Sequence, residues 1–293
     1  MRGHGVSVAG AGGRLLEAAV VVALIVGACG AGASPSAVSG PDRVKEAGTL
    51  VWCSWLSYPP YESTAKGGAS EGGAEAVGLD IDIAAEVARR LGVTSRIVDA
   101  NGDDLFKGLI PRRCDLAISN MVVNFGPKTK NADFVDYLRI WTGFLVATGN
   151  PKGIDTMGDL AGKSVAVANE FFEEASLRAA SADLVAAGKP AIEIVTTYKP
   201  AEAWVEELAA GRIDALAGDS VLVADRVDKP PYTGAFEIGG PALDPQPIGI
   251  AIRKDDAGMK EAVAAAIDAM YADGTMKAIV AKWGLTDAVE LLK

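Results

Sequence analysis

Val77-Gly78-Leu79-Asp80-Ile81-Asp82-Ile83-Ala84-Ala85-Glu86-Val87-Ala88-Arg89-Arg90-Leu91 is the stretch from which the rest of the chain is read. It opens in strand-like alternation, with Val77, Leu79, Ile81 and Ile83 on one face and Gly78, Asp80 and Asp82 on the other. Ile83, Val87, Ala88 and Leu91 then recur at helical spacing, and Gly92 follows as a stop signal. A short extended lead into a helix is the expectation. Asp80 and Asp82 fall near the helix start, where free N–H groups and the macrodipole favour negative charge. Periodicity alone supports an ordinary first helix of an α/β domain and no more.

The chain has 293 residues, 49% hydrophobic and 23% charged, which is a globular composition long enough for two domains. The net charge of −10 argues against nucleic acid as a partner. The only histidine is His4, at the extreme N-terminus. Once a leader is removed, no imidazole remains for a Ser-His-Asp or Cys-His centre, and a zinc or iron site is disfavoured. No cofactor and no metal are expected. Chemistry at any active site would rest on Asp, Glu, Lys or Tyr.

Arg2 and Arg14 precede an apolar run from Ala18 to Ala28, which is too short to span a bilayer and reads as a secretory leader. Val26-Gly27-Ala28-Cys29 resembles a lipoprotein cleavage box, so Cys29 is expected to become the first mature residue and to carry lipid, palmitate included. The protein would then be exported and anchored to the outer face of the cell membrane. Gly30 to Pro41 is rich in Gly, Ala, Ser and Pro and reads as a tether.

Gly78-Leu79-Asp80-Ile81-Asp82-Ile83 resembles the signature of the extracytoplasmic solute-binding proteins of family 3, which serve amino-acid ABC importers. The likeness extends from about Gly48 to Leu285. It implies a periplasmic-binding-protein-like type II fold: two discontinuous α/β domains joined by a two-strand hinge. The implied division is 1–28 as lipoprotein signal peptide, 29–47 as flexible tether, 48–138 as the first part of domain 1, 139–244 as domain 2, and 245–293 as the rest of domain 1. Arg139 to Ala147 and Pro245 to Lys254 resemble the two crossing strands, and two crossings permit hinge closure on a ligand.

The resemblance also implies a ligand site. Loops leaving the carboxyl ends of strands in open α/β sheets commonly face the ligand. Ser54-Trp55-Leu56-Ser57-Tyr58-Pro59-Pro60-Tyr61-Glu62 is such a loop, and Tyr58 and Pro60-Tyr61-Glu62 match the family pattern. Tyr58 is the expected aromatic wall, whereas Trp55 and Tyr61 fit packing as well as contact. Phe106 matches a family aromatic that would oppose Tyr58, or it is a core residue. Asn120 stands at the family's Gly and Val122 at its hydroxyl residue; the Arg that forks onto an α-carboxylate falls at Lys128 counted back from Asp133-Phe134, or at Pro127 counted forward from Met121. A lysine holds a carboxylate as a point charge, not a fork, and Val122 cannot donate. Asn124 fits a turn as well as a contact.

In the second domain, Asn169 opens a turn at a helix start, where Glu170, Glu173 and Glu174 would repel a carboxylate. Gly211-Arg212-Ile213-Asp214-Ala215 matches a family motif, and Asp219 beyond it corresponds to the carboxylate that meets the ligand's ammonium. Cys53 and Cys114 fall at the edges of strands that the resemblance makes neighbours. They form either a disulfide or two buried thiols.

The implied function is that of a substrate-binding lipoprotein of an ABC importer, taking a small amino acid or cationic amine, monomeric, with permease subunits as membrane partners. Two other classes share the fold: a cyclohexadienyl dehydratase-like enzyme using Glu170 or Glu173 as acid, and a non-transport receptor or accessory protein.

Overall fold

The computed structural model describes residues 40–64, 76–100, 103–109, 112–123, 125–126, 128–169, 171–197, 201–227 and 229–293. The expected leader, Cys29, Asn124 and Glu170 lie outside these residues, as does the side chain of Lys128. Helix α1 (Gly40–Ala47) leads into β1 (Thr49–Ser54). A small three-stranded sheet follows from β2 (Ser57–Tyr58), β3 (Glu62–Thr64) and β4 (Ala76–Val77). Next come α2 (Leu79–Arg90), β5 (Thr94–Asp99), α3 (Asp103–Lys107) and β6 (Leu116–Ala117). The long β7 (Ala132–Ala147) leads to β8 (Ser164–Ala168), α4 (Phe172–Ala186), β9 (Glu193–Thr197), α5 (Ala201–Ala209), β10 (Ala215–Asp219) and α6 (Ser220–Arg226). A second long strand, β11 (Phe236–Arg253), and helices α7 (Ala257–Ala272) and α8 (Thr275–Lys282) complete the chain.

Eight strands form one sheet in the order β5-β1-β6-β11-β7-β10-β8-β9. β1, β5 and β6 are parallel to one another, as are β8, β9 and β10, while β11 and β7 pair antiparallel between the two sets. The registers decide where the strands point. β6 pairs Leu116 with Ile252 and Ala117 with Ala251, so it runs toward the middle of β11. β10 pairs Leu216 with Leu145 and Asp219 with Thr142, so it runs toward the middle of β7. Both parallel sets therefore aim their carboxyl ends at the same place, where open α/β sheets bind ligands. The β7–β11 register breaks there too, between Gly239 and Leu243 and between Leu243 and Gln246.

The cores sort along this sheet. Trp52, Leu79, Ile83, Tyr137, Ile250 and Met259 belong to one cluster, and Phe144, Val165, Leu177 and Ala217 to another. Phe172 and Val221, from α4 and α6, pack into the first cluster and tie the two ends of the sheet together.

The expected extended lead is shorter than its alternation suggested, for β4 ends at Val77 and α2 begins at Leu79. Backbone carbonyls explain it: Leu79 N–H donates to Pro60 O (3.0 Å) and Asp80 N–H to Tyr61 O (3.0 Å). Gly78 allows this approach, because a Cβ there would lie 2.0 Å from Tyr61 O. The stretch expected as flexible tether (29–47) ends in structure, since α1 occupies its last eight residues. Val44 is buried in the main core, and the Arg43 guanidinium meets the Asp115 carboxylate at 2.7 Å. One apolar residue is too weak a periodic signal to announce that helix. Cys53 and Cys114 form a disulfide with Cα atoms 5.6 Å apart across 61 residues of chain, and the two-thiol alternative falls away.

Candidate functional site

Two tyrosines from one end of the sheet close on one aspartate from the other. Asp219, the last residue of β10, is fully buried and caps α6: its Oδ1 accepts the backbone N–H of Val221 (3.1 Å) and Leu222 (2.9 Å). Tyr61 Oη donates to the same Oδ1 (2.8 Å), Tyr58 Oη donates to Oδ2 (3.0 Å), and Asn120 Nδ2 reaches Oδ2 at 3.4 Å. The tyrosine hydroxyls come side by side because the rings stack. Trp55 lies on Tyr58 and Tyr58 on Tyr61, each pair with centroids 5.7 Å apart and planes within 9° of parallel.

A second acid pair supports this arrangement from behind. Asp80, in the first turn of α2, accepts the backbone N–H of Asn120 (2.8 Å) on Oδ2 and the Tyr137 hydroxyl (2.7 Å) on Oδ1. Ser119 Oγ donates to Glu62, whose carboxyl lies beside that of Asp80, and Glu62 Oε2 has no hydrogen-bond partner. Ser119 and Asn120 follow β6, and Asn120 takes a left-handed backbone (φ 43°) that suits its short polar side chain.

Glu173 completes the group. It lies in the first turn of α4, is buried, and its carboxyl lies near the backbone N–H groups of Glu173 and Asp219. Among the described residues, none of Glu62, Asp80, Glu173 and Asp219 forms an ion pair with a lysine or arginine. Burial without a counter-ion disfavours the charged form of every one of them. Burial pushes Asp80 up to about 7 against the hydrogen bonds it accepts. Burial, and then the Asp219 charge, pushes Glu173 up to about 8. Glu62 is held well above the usual carboxylate range by burial and by Asp80, and Asp219 is raised by burial despite its many donors. Tyr58, Tyr61 and Tyr137 are all raised by burial and by the Asp219 or Asp80 charge beside them, so each hydroxyl remains a donor. Such a site attracts a cation and resists an anion.

The expected site residues separate. Trp55, Tyr58, Asn120 and Asp219 come together. Phe106 does not face Tyr58: its ring meets Phe134 edge-on at 6.4 Å, against the cluster that holds the disulfide. Phe106 lies within α3, whose packing carries it there, and the core alternative for Phe106 describes its position. Val122 bridges to Ile248 and packs on the main core, which its aliphatic side chain explains. Asn169 is half-buried in the turn after β8. Lys128 begins the short 3-10 turn Lys128–Asn131. Glu62 and Asp80 are partners that sequence reading left out of the site, whereas Tyr61 stood there as packing or contact and Glu173 as a helix-start acid or the acid of a dehydratase-like enzyme. The contiguous Tyr61-Glu62 beside Tyr58 was the available signal, whereas Glu173 looked like an ordinary helix-start acid. Among the described residues no cluster of metal-binding side chains suits a metal ion, and no helix is long and apolar enough to cross a membrane.

The model of the bacterial extracellular solute-binding proteins, family 3, matches residues 50–286, and the chain belongs to that family. It is 30% identical over 242 residues to the L-cystine-binding protein TcyJ of Escherichia coli (strain K12), covering 83% of this chain and 85% of the relative. It is 30% identical over 233 residues to the L-arginine-binding protein of Pseudomonas aeruginosa (strain ATCC 15692), covering 78% and 84%. Among solved structures it resembles an ancestral cationic amino acid solute-binding protein, with a TM-score of 0.68 and 26% identity over 84% of this chain and 99% of the other. That ancestor is described as a precursor of cyclohexadienyl dehydratase. The mixed α/β architecture is that of the type II periplasmic binding proteins.

Proposed function

We propose, from membership in family 3, that this protein captures a small amino acid or amine through its cationic nitrogen and delivers it to the permease subunits of an ABC importer. The observation that carries the reading is the set of four buried carboxyl groups without a cationic partner among the described residues. One of them, Asp219, is held by tyrosines from the opposite end of the sheet. An ammonium entering here replaces the tyrosine hydroxyls on Asp219 and supplies the missing positive charge. The stacked Trp55, Tyr58 and Tyr61 rings add a face of the kind that favours cations.

The division into 48–138 with 245–293 against 139–244 suits this role. The register breaks in the β7–β11 pair lie at the proposed hinge, and rotation there would part the tyrosines from Asp219. Cys29 would anchor the chain outside the membrane. Mass spectrometry of the mature N-terminus tests that anchor, and an unmodified Cys29 removes it.

Thermal-shift titration with L-arginine, L-lysine, L-histidine, L-cystine, L-glutamine, choline and putrescine tests the function. A saturable rise in Tm with at least one cation supports it, and failure of every cation overturns it. A second reading has one favouring observation: Glu173 holds a proton and has a free oxygen, as a general acid requires. Without a buried cation beside the site, a dicarboxylate such as prephenate would be repelled. Turnover of prephenate or arogenate would establish the enzyme instead.

A further inference from the structure

Glu173 is 4% exposed, and its Oε2 has no hydrogen-bond partner. A buried carboxyl oxygen left open is costly unless something fills it. The carboxyl lies near the backbone N–H of Asp219 and that of its own residue, and it feels the Asp219 charge. It therefore stands beside the residue whose side chain faces the tyrosines. Three further buried oxygens of this group are also open, Glu62 Oε2 among them. Asn120 Oδ1 belongs to the amide whose nitrogen reaches Asp219. Thr142 Oγ1 is carried by the residue directly opposite Asp219 in the β10–β7 ladder, where paired residues share a face.

We infer that Glu173 is the second carboxylate of the cation seat and selects a primary ammonium. This inference rests on the cationic-ligand reading above. A primary ammonium carries three donors and needs three acceptors once water is stripped away. Asp219, Glu173 Oε2 and Asn120 Oδ1 supply them. A quaternary ammonium has no N–H and would leave the Glu173 and Asn120 oxygens orphaned, so the seat discriminates against it.

The same geometry couples binding to a proton. In the empty protein Glu173 is neutral below about 8. An ammonium beside it favours the carboxylate, so the proton leaves to solvent as the cation enters. The groups facing Glu173 are Asp219 from β10 and Tyr58 from β2. Asp244 of β11 lies one turn along α4, on Ser176, and Glu174 is turned to Arg178. None of these supplies positive charge to Glu173 itself.

Calorimetric titration tests this with the primary amine from the panel that raises Tm, and with its N-trimethylated form, from pH 6 to 8. The native protein should bind the amine with an association constant rising about tenfold per pH unit, the linkage slope for one released proton. The trimethylated form should bind at least about tenfold more weakly, the smallest effect expected of orphaned buried acceptors. Glu173→Gln should bind the amine more weakly at pH 8 and with a flat pH profile. Glu173→Asp, which keeps the acid but withdraws it, should also lose affinity, and circular dichroism checks that both variants fold. If both variants match native affinity and slope, Glu173 is not in the seat although the cationic-ligand reading stands. If no cation binds the native protein, both readings fall.

Discussion

The Glu62–Asp80 pair and the Glu173–Asp219 pair are equally buried, yet they are completed differently. The first is held within one end of the sheet: Asp80 has a backbone N–H and a tyrosine hydroxyl, and Glu62 accepts from Ser119, although its Oε2 has no hydrogen-bond partner. Every one of those bonds joins segments of the first parallel strand set to one another or to β7. The second pair spans the two ends of the sheet and is not finished, because Glu173 Oε2 is open and Asp219 borrows hydroxyls that a ligand could displace. Similar chemistry therefore suits a frame in one place and the proposed receptor in the other. What separates them is that the hydrogen bonds of the first pair stay at one end of the sheet, whereas Asp219 takes the Tyr58 and Tyr61 hydroxyls from the opposite end.

Asp219→Asn should break the comparison most sharply. It removes the charge that meets the cation, and affinity should fall at least about 100-fold, as when one partner of a buried charge pair is lost. Glu62→Gln, measured in the same titration, should change affinity only a few-fold, because a glutamine also donates to Asp80 and accepts from Ser119. Asp80→Ala should act on the frame. It orphans the Asn120 N–H and the Tyr137 hydroxyl, and denaturant unfolding should show a loss of about 2–6 kcal/mol at one to three per buried group.

The pH dependence of stability follows from both pairs. Asp80 and Glu173 have folded values of about 7 and about 8, above their ordinary 3.8 and 4.5. The folded state therefore holds more protons than the unfolded one between those limits, and stability falls as pH rises. The contribution is full below about pH 4, the unfolded carboxylate range, and is lost as pH passes through about 7 to 8. Tm of the ligand-free protein should drop between pH 5 and 8.5, and Glu173→Gln should flatten the upper part of that fall. A Tm that rises over this range would contradict the assignment. The smallest effect belongs to Tyr58→Phe. It keeps the ring stack and deletes one donor to Asp219, for a loss of about 1 kcal/mol in the ligand-free protein.

The frame was far more legible in the sequence than the receptor. Gly78-Leu79-Asp80 carries its own geometry, since the glycine is required by the Tyr61 carbonyl and the aspartate follows at the helix start. Asp219 was legible through the motif around Asp214 and Ala215. Glu173 was not, because an acid in the first turn of a helix is explained equally well by the helix itself. Only the Asp219 backbone N–H and the burial of α4 against β10 reveal its second role. Phe106 is a case where sequence left two places open, opposite Tyr58 or in the core, and its ring packs against the disulfide cluster. The long strands were underestimated because β7 and β11 begin seven and nine residues before their apolar runs become obvious.

The structure of the complex with whichever cation raises Tm is the most direct test of the central claim. The ligand nitrogen should lie within hydrogen-bond distance of an Asp219 carboxylate oxygen, with at least one of the Tyr58 and Tyr61 hydroxyls displaced from it. A ligand bound elsewhere, with both tyrosines still on Asp219, would contradict it.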